Sequence, residues 1–171
     1  LLSELSTNDK AVLESYLGKM SSNTDGFHAL NSALLALGLY IELAPGVKLD
    51  RPIVIHHYQN QEHRAHFWRH VIVLGQEARA QIVEIFEGDN NSTYFTSAIT
   101  ETFLKSQAKL EYFKIQKEGL NAFHVGHTYA ALGAHANIET HLINLGGAWV
   151  RSDVSIWLQE ENAACLLNGI Y

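Results

Sequence analysis

A single cysteine among 171 residues excludes an internal disulfide framework and suits a reducing compartment, so a cytoplasmic location is expected. Clustered Lys and Arg are lacking as well: 12 basic against 18 acidic side chains leave a formal charge of −6. That balance argues against a nucleic-acid-binding surface. The longest apolar run, residues 33–41, is too short to cross a bilayer and is broken by Gly38, so no membrane contact is expected. No basic region precedes an apolar stretch near Leu1, so no secretory signal is expected either. Phosphate-loop, dinucleotide-loop and nucleophile-elbow strings do not occur. What is present, 47% hydrophobic and 18% charged, is globular composition sufficient for one well-buried domain. A start at Leu1 rather than Met leads to the expectation of a piece of something longer.

The first stretch reads as helical. Thr7 or Asn8 is placed to cap a short helix through Leu17, ended by Gly18, and "SSNTDG" is loop chemistry. Asp25 is placed to cap a second helix, with Phe27, Leu30, Leu34 and Leu37 along one face and Gly38 as its stop. From Leu39 the hydrophobic period becomes two. "LYIEL" and "PIVIHHY" then read as strands on either side of a Pro45–Gly46 turn.

After His66 the pattern repeats. "ARAQIVEI", "AKLEYFKI", "ANIETHLI" and "AACLLNGI" superimpose, with their leading alanines at 78, 108, 136 and 163, and each follows another strand-like run. A degenerate unit of two strands cannot bury its apolar face alone and must stack on its neighbours. Alternation along the strands then puts Ala78–Ala108–Ala136–Ala163, Ala80–Leu110–Ile138–Cys165 and Ile82–Tyr112–Thr140–Leu167 on the inner face. Arg79–Lys109–Asn137–Ala164 and Gln81–Glu111–Glu139–Leu166 fall on the outer face, polar until the last unit. The expected fold is mainly β, a parallel β-helix over 39–171 preceded by a helical segment over 1–38. Gly146–Gly147 reads as a coil corner, and an end coil with unpaired backbone groups is a site where such a chain self-associates.

Ten histidines invite a metal reading. His63, His66 and His70, and separately His124 and His127, have helix-compatible ligand spacing, but they fall in loop or strand, where an i, i+3 pair splits across faces. They are read as solvent-facing or edge residues, and His56–His57 as a pair divided by its strand. Cys165 sits in an interior column without a basic neighbour and reads as a buried, inert thiol. Glu160 and Glu161 lie in a turn. Glu111 and Glu139 are neighbours on adjacent coils, a spacing compatible with a carboxylate dyad of a carbohydrate-cleaving enzyme, but with Lys109 and Lys114 they read equally as a solvated charged face. Trp68, Trp149 and Trp157 read as packing residues. No residue qualifies as catalytic, cofactor-binding or metal-ligating.

Three blocks, "FHALNSALLALGLYIELAPGVKLDRPIVI", "YFTSAITETFLKSQAKLEYFKIQ" and "LGGAWVRSDVSIWLQEENAACLLNGIY", occur in an order that resembles the SufB/SufD family. "ALN" in the helix and the "APGV" turn incline towards its SufD branch rather than the SufB-like paralogue. The resemblance implies a right-handed β-helix acting as a non-catalytic scaffold for iron–sulfur cluster assembly, with SufB-like and SufC-like proteins as partners. It also implies a cluster-associated histidine in a stretch like K-C-[ST]-H-G-A-T, and no such string occurs, so no histidine here inherits that role. No cofactor is expected on the chain itself; the cluster belongs to the full complex. The competing expectation is a β-helix enzyme acting on polysaccharide.

Overall fold

The structure is a computed structural model that describes residues 7–20, 25–35 and 37–171. Among the described residues two short helices, α1 (Thr7–Glu14) and α2 (Gly26–Ala33), precede ten strands. These are β1 (Tyr40–Leu43), β2 (Ile53–Gln59), β3 (Arg64–Leu74), β4 (Arg79–Gly88), β5 (Tyr94–Leu104), β6 (Lys109–Lys117), β7 (Phe123–Leu132), β8 (Asn137–Asn144), β9 (Trp149–Leu158) and β10 (Ala164–Ile170). Odd strands form one five-stranded sheet in the order β1-β3-β5-β7-β9, and even strands form the other, β2-β4-β6-β8-β10. Every pairing is parallel. The chain therefore alternates between two stacked sheets, one turn per strand pair, as a parallel β-solenoid of about five turns.

The columns expected from the repeat are the observed register. Ala80 pairs with Leu110, Leu110 with Ile138 and Ile138 with Cys165; Gln81, Glu111 and Glu139 align on the opposite face. Ala78, Ala108 and Ala136 are fully buried. Each closes a corner turn, its N–H bonded to the carbonyl three residues back: Ala78 to Gly75, Ala108 to Lys105, Ala136 to Gly133. One residue before each alanine the backbone is left-handed, at Glu77 (φ 58°), Gln107 (61°) and His135 (58°), with Gly46 (75°) in the first turn. Each of these residues also donates its N–H to the next coil, Glu77 to Ser106 and Gln107 to Ala134. Only a small side chain fits inside so tight a corner, which is why alanine recurs there.

The helices cover the odd-stranded sheet. Leu13 of α1 packs on Val71 and Val73, and Met20 on Ile99 and Tyr129. α1 already includes Thr7 and Asn8, so neither is its cap, and positions 21–24 of the expected loop lie outside the described residues. In α2 the Asp25 carboxylate accepts the Phe27 N–H as expected, but the helix ends at Ala33, with Leu34 as its cap, well before Gly38. Its buried face is not the predicted leucine stripe either: His28 and Asn31 are buried, whereas Leu30, Leu34 and Leu37 are exposed. The reason is polar. Asn31 donates its amide to the carbonyls of Trp68 (3.2 Å) and Ser97 (3.1 Å). A buried pair, Arg69 Nε to Glu101 Oε2 at 3.0 Å, completes the clamp, with Glu101 accepting the Gly18 N–H and Arg69 donating to Ser32 of α2.

The lumen is divided lengthwise. One half is apolar: Leu74, Leu104 and Leu132 stack in register, facing Leu110 and Ile138. The other half is polar, and it is there that the chain places its ionisable side chains.

Candidate functional site

Glu84, Lys114, His57, His70 and His124 share strand parity with the interior columns and project into the lumen, all buried. Glu84 stands in register with Lys114 on the next coil. Its Oε1 lies 3.1 Å from His57 Nε2 and 3.3 Å from His70 Nε2. Its Oε2 accepts from the Tyr112 hydroxyl and, at 3.3 Å, from Thr100. Burial alone pushes the Glu84 carboxyl up, but the hydrogen bonds from His57 and His70 and the nearby Lys114 charge hold it well below its ordinary 4.5. Burial and the same carboxylate push the Tyr112 phenol well above 10.0.

Lys114 places its ammonium 5.1 Å from the centre of the Phe86 ring. Burial draws its pKa below the ordinary 10.5, against the opposing charges of Glu84 and Glu118. Gly126 makes the room: a Cβ there would run into Lys114 Nζ and crowd His124 Nε2. On the far side Glu118 gathers His124 Nδ1 (2.6 Å), Thr96 Oγ1 (2.6 Å) and Gln116 Nε2 (3.3 Å). Burial lowers the His124 pKa below 6.5 despite this partner. Two carboxylates thus flank one ammonium in a lane that runs across several coils, each carboxylate hydrogen-bonded to imidazole and hydroxyl donors.

The trio His57–His70–Glu84 has the spacing of a metal triad, since donors 3.1–3.3 Å apart match the roughly 3.3 Å edge of a tetrahedron with bonds of about 2.0 Å. Its chemistry does not fit. A ligating imidazole donates its far N–H to a neighbour. Here His70 Nδ1 accepts the Leu39 backbone N–H at 3.0 Å, so the ring proton sits on Nε2 and points to Glu84. A second group, Asp25–His127–Asp153, is closed differently: Arg151 bridges both carboxylates (3.2 and 2.7 Å), and His127 is bonded to Ser155 and Tyr129.

Several sequence expectations hold. His56 and His57 split across β2, the former outward against Glu87 and the latter inward. His124 and His127 split likewise. Glu111 and Glu139 are aligned neighbours, with Glu111 accepting the Gln81 amide at 2.8 Å. Others are corrected. His70 and His124 are buried lumen residues, not solvent-facing; only His63, at an exposed corner, matches that expectation. Lys114 belongs to the interior, not to the charged outer face. Cys165 keeps its predicted column yet is exposed, because β10 is the last strand and no described coil lies over it. The three tryptophans do pack as expected, Trp68 against His57, Trp149 against Phe27 and Trp157 against Tyr129, though the last two remain 44% and 42% exposed. The lumen cluster was within reach of the sequence: Glu84 and Lys114 lie two residues on from Ile82 and Tyr112, columns already assigned inward.

Residues 57–171 match the family described as SUF system FeS cluster assembly, SufBD core domain. The chain is 26% identical over 148 residues to the iron–sulfur cluster assembly protein SufD of Escherichia coli (strain K12), covering 84% of this chain and 35% of that protein. It is also 26% identical over 171 residues to the iron–sulfur cluster assembly protein SufB of Bacillus subtilis (strain 168), covering 98% of this chain and 34% of the relative. An iron–sulfur cluster assembly SufBD family protein of Staphylococcus haemolyticus is equally similar, at 26%. The chain spans about a third of the length of these curated relatives. No solved structure matches.

Proposed function

The chain belongs to the SufB/SufD family of the SUF iron–sulfur cluster assembly system, and from that membership we propose that it serves as a non-catalytic scaffold, SufD-like, working with SufB-like and SufC-like partners in the cytoplasm. The observation that carries this reading is the lumen: its carboxylates and imidazoles are buried and hydrogen-bonded, an arrangement that stiffens a rod and keeps Glu84 and Glu118 away from any substrate. The exposed Glu111–Glu139 pair, the best candidate for a carbohydrate-cleaving enzyme, has Glu111 already bonded to Gln81. The "ALN" helix and "APGV" turn favour the SufD branch. The cluster is cargo of the complex, assembled with groups beyond these residues.

The test is recovery of partners. An affinity tag on the natural protein at its own locus is expected to recover SufB-like and SufC-like proteins together. Recovery of the tagged protein alone, under conditions where SufB and SufC bind each other, would overturn the scaffold role, as would turnover of any polysaccharide by the purified protein.

A further inference from the structure

Where the even strands begin, beside the corner turns, the outward face carries an unbalanced column. Lys48 bridges in register to Arg79 of β4, and Arg79 pairs in register with Lys109 of β6, so three exposed cations stack on successive coils. Like charges directly opposite on neighbouring strands destabilise a sheet. Among the described residues none of these three side chains has an ion pair or a hydrogen bond. Lys117, by contrast, stands in register with Glu87 and pairs with it, and Arg151 holds Asp25 and Asp153.

The column is also concave. Lys48, Arg79, Lys109, Gln107 and His135 line a groove of about 440 Å³, facing the single carboxylate of Glu77 among the described residues. Its floor is rigid, because the left-handed corner residues Glu77, Gln107 and His135 each donate an N–H to the next coil. A second groove of about 420 Å³ continues from Arg79 and Lys109 along the sheet and turns acidic at Asp50, Glu111 and Glu139. On the next coil the column ends in Asn137. The cationic stretch is therefore three rungs long, about 10 Å at ordinary strand spacing, and bounded by carboxylates on one side. So short a stretch on a chain of formal charge −6 disfavours a long polyanion. A few linked phosphates meet all three cations at once. The Arg79 guanidinium, in the middle, matches two phosphate oxygens with its fork, and Lys48 and Lys109 supply point charges on either side. We propose that this groove binds an oligophosphate, supplied free or as the tail of a nucleoside triphosphate, whose charge offsets the repulsion within the column.

Calorimetric titration of the natural protein with sodium tripolyphosphate, in magnesium-free buffer of low ionic strength, reads the site. One equivalent is expected to bind, and Arg79→Gln and Lys109→Gln each to weaken binding about tenfold, the loss of one charge-assisted contact. Lys117→Gln removes the same charge from the far end of β6 and is expected to leave the affinity unchanged. All three side chains are exposed, so circular dichroism is expected to be the same for every variant. Adenosine triphosphate in place of tripolyphosphate separates the two sources: tighter binding assigns the nucleotide, weaker binding the free oligophosphate. Three results would overturn the proposal: no binding of either anion up to about 1 mM, binding that survives Arg79→Gln and Lys109→Gln combined, or an equal loss in Lys117→Gln, which would reduce the effect to overall charge.

Discussion

Glu84 shows how much one side chain inside the lumen controls. It accepts from two imidazoles and two hydroxyls, and its carboxyl is held well below 4.5. A depressed carboxylate contributes stability that is complete above the unfolded value and is lost as pH falls through the folded one. Glu84→Gln keeps the shape but not the charge, and leaves Lys114 with one carboxylate; it is expected to cost about 3 kcal/mol at neutral pH and to flatten the acid limb of the stability profile below about pH 4. Urea titrations across pH check both. His124 works in the opposite range. Burial lowers its pKa, so as pH falls through 6.5 the unfolded chain takes up protons first and stability drops. His124→Gln is expected to make the loss between pH 7 and 5.5 shallower, by up to about 1.4 kcal/mol per pH unit for the proton removed.

Among the elements, the corner turns and the helix clamp are the sensitive parts. Gln107 holds a left-handed φ of 61° and its N–H bonds the next coil. Gln107→Gly is expected to change stability by less than about 1 kcal/mol, whereas Gln107→Val, β-branched at positive φ, is expected to cost about 2 kcal/mol or more in denaturant titrations. The helices depend on Arg69. Truncation by Arg69→Met leaves Glu101 buried without its cation, an expected loss of about 3–5 kcal/mol, with faster hydrogen exchange in α1 and α2 than in β5. The strands were legible in sequence because alternation and the recurring alanine are local, periodic signals. The packing of α2 was not. Its leucines satisfy a helical period, but its orientation is decided by Asn31 reaching carbonyls on β3 and β5, which are distant in sequence.

At the scale of the whole molecule, ten parallel strands in two sheets make each coil dependent on the next, so the stack behaves as a chain of nearest-neighbour interfaces. The register was readable from residue numbers alone, and so in principle was the lumen cluster. Cys165 departs from its expected burial because column membership says which way a side chain points, whereas burial also needs a coil above it. The polar half of the lumen is harder to read, because residue type suggests an outward charge where strand parity turns it inward.

The claim under all of this is that the alanine columns line the inside of successive parallel coils. Methyl–methyl nuclear Overhauser effects on a sample labelled at alanine test it most directly. Neighbouring coils lie about 5 Å apart, so cross-peaks are predicted from Ala108 to both Ala78 and Ala136. Their absence from a folded sample would contradict the stacked-coil account and the scaffold built on it.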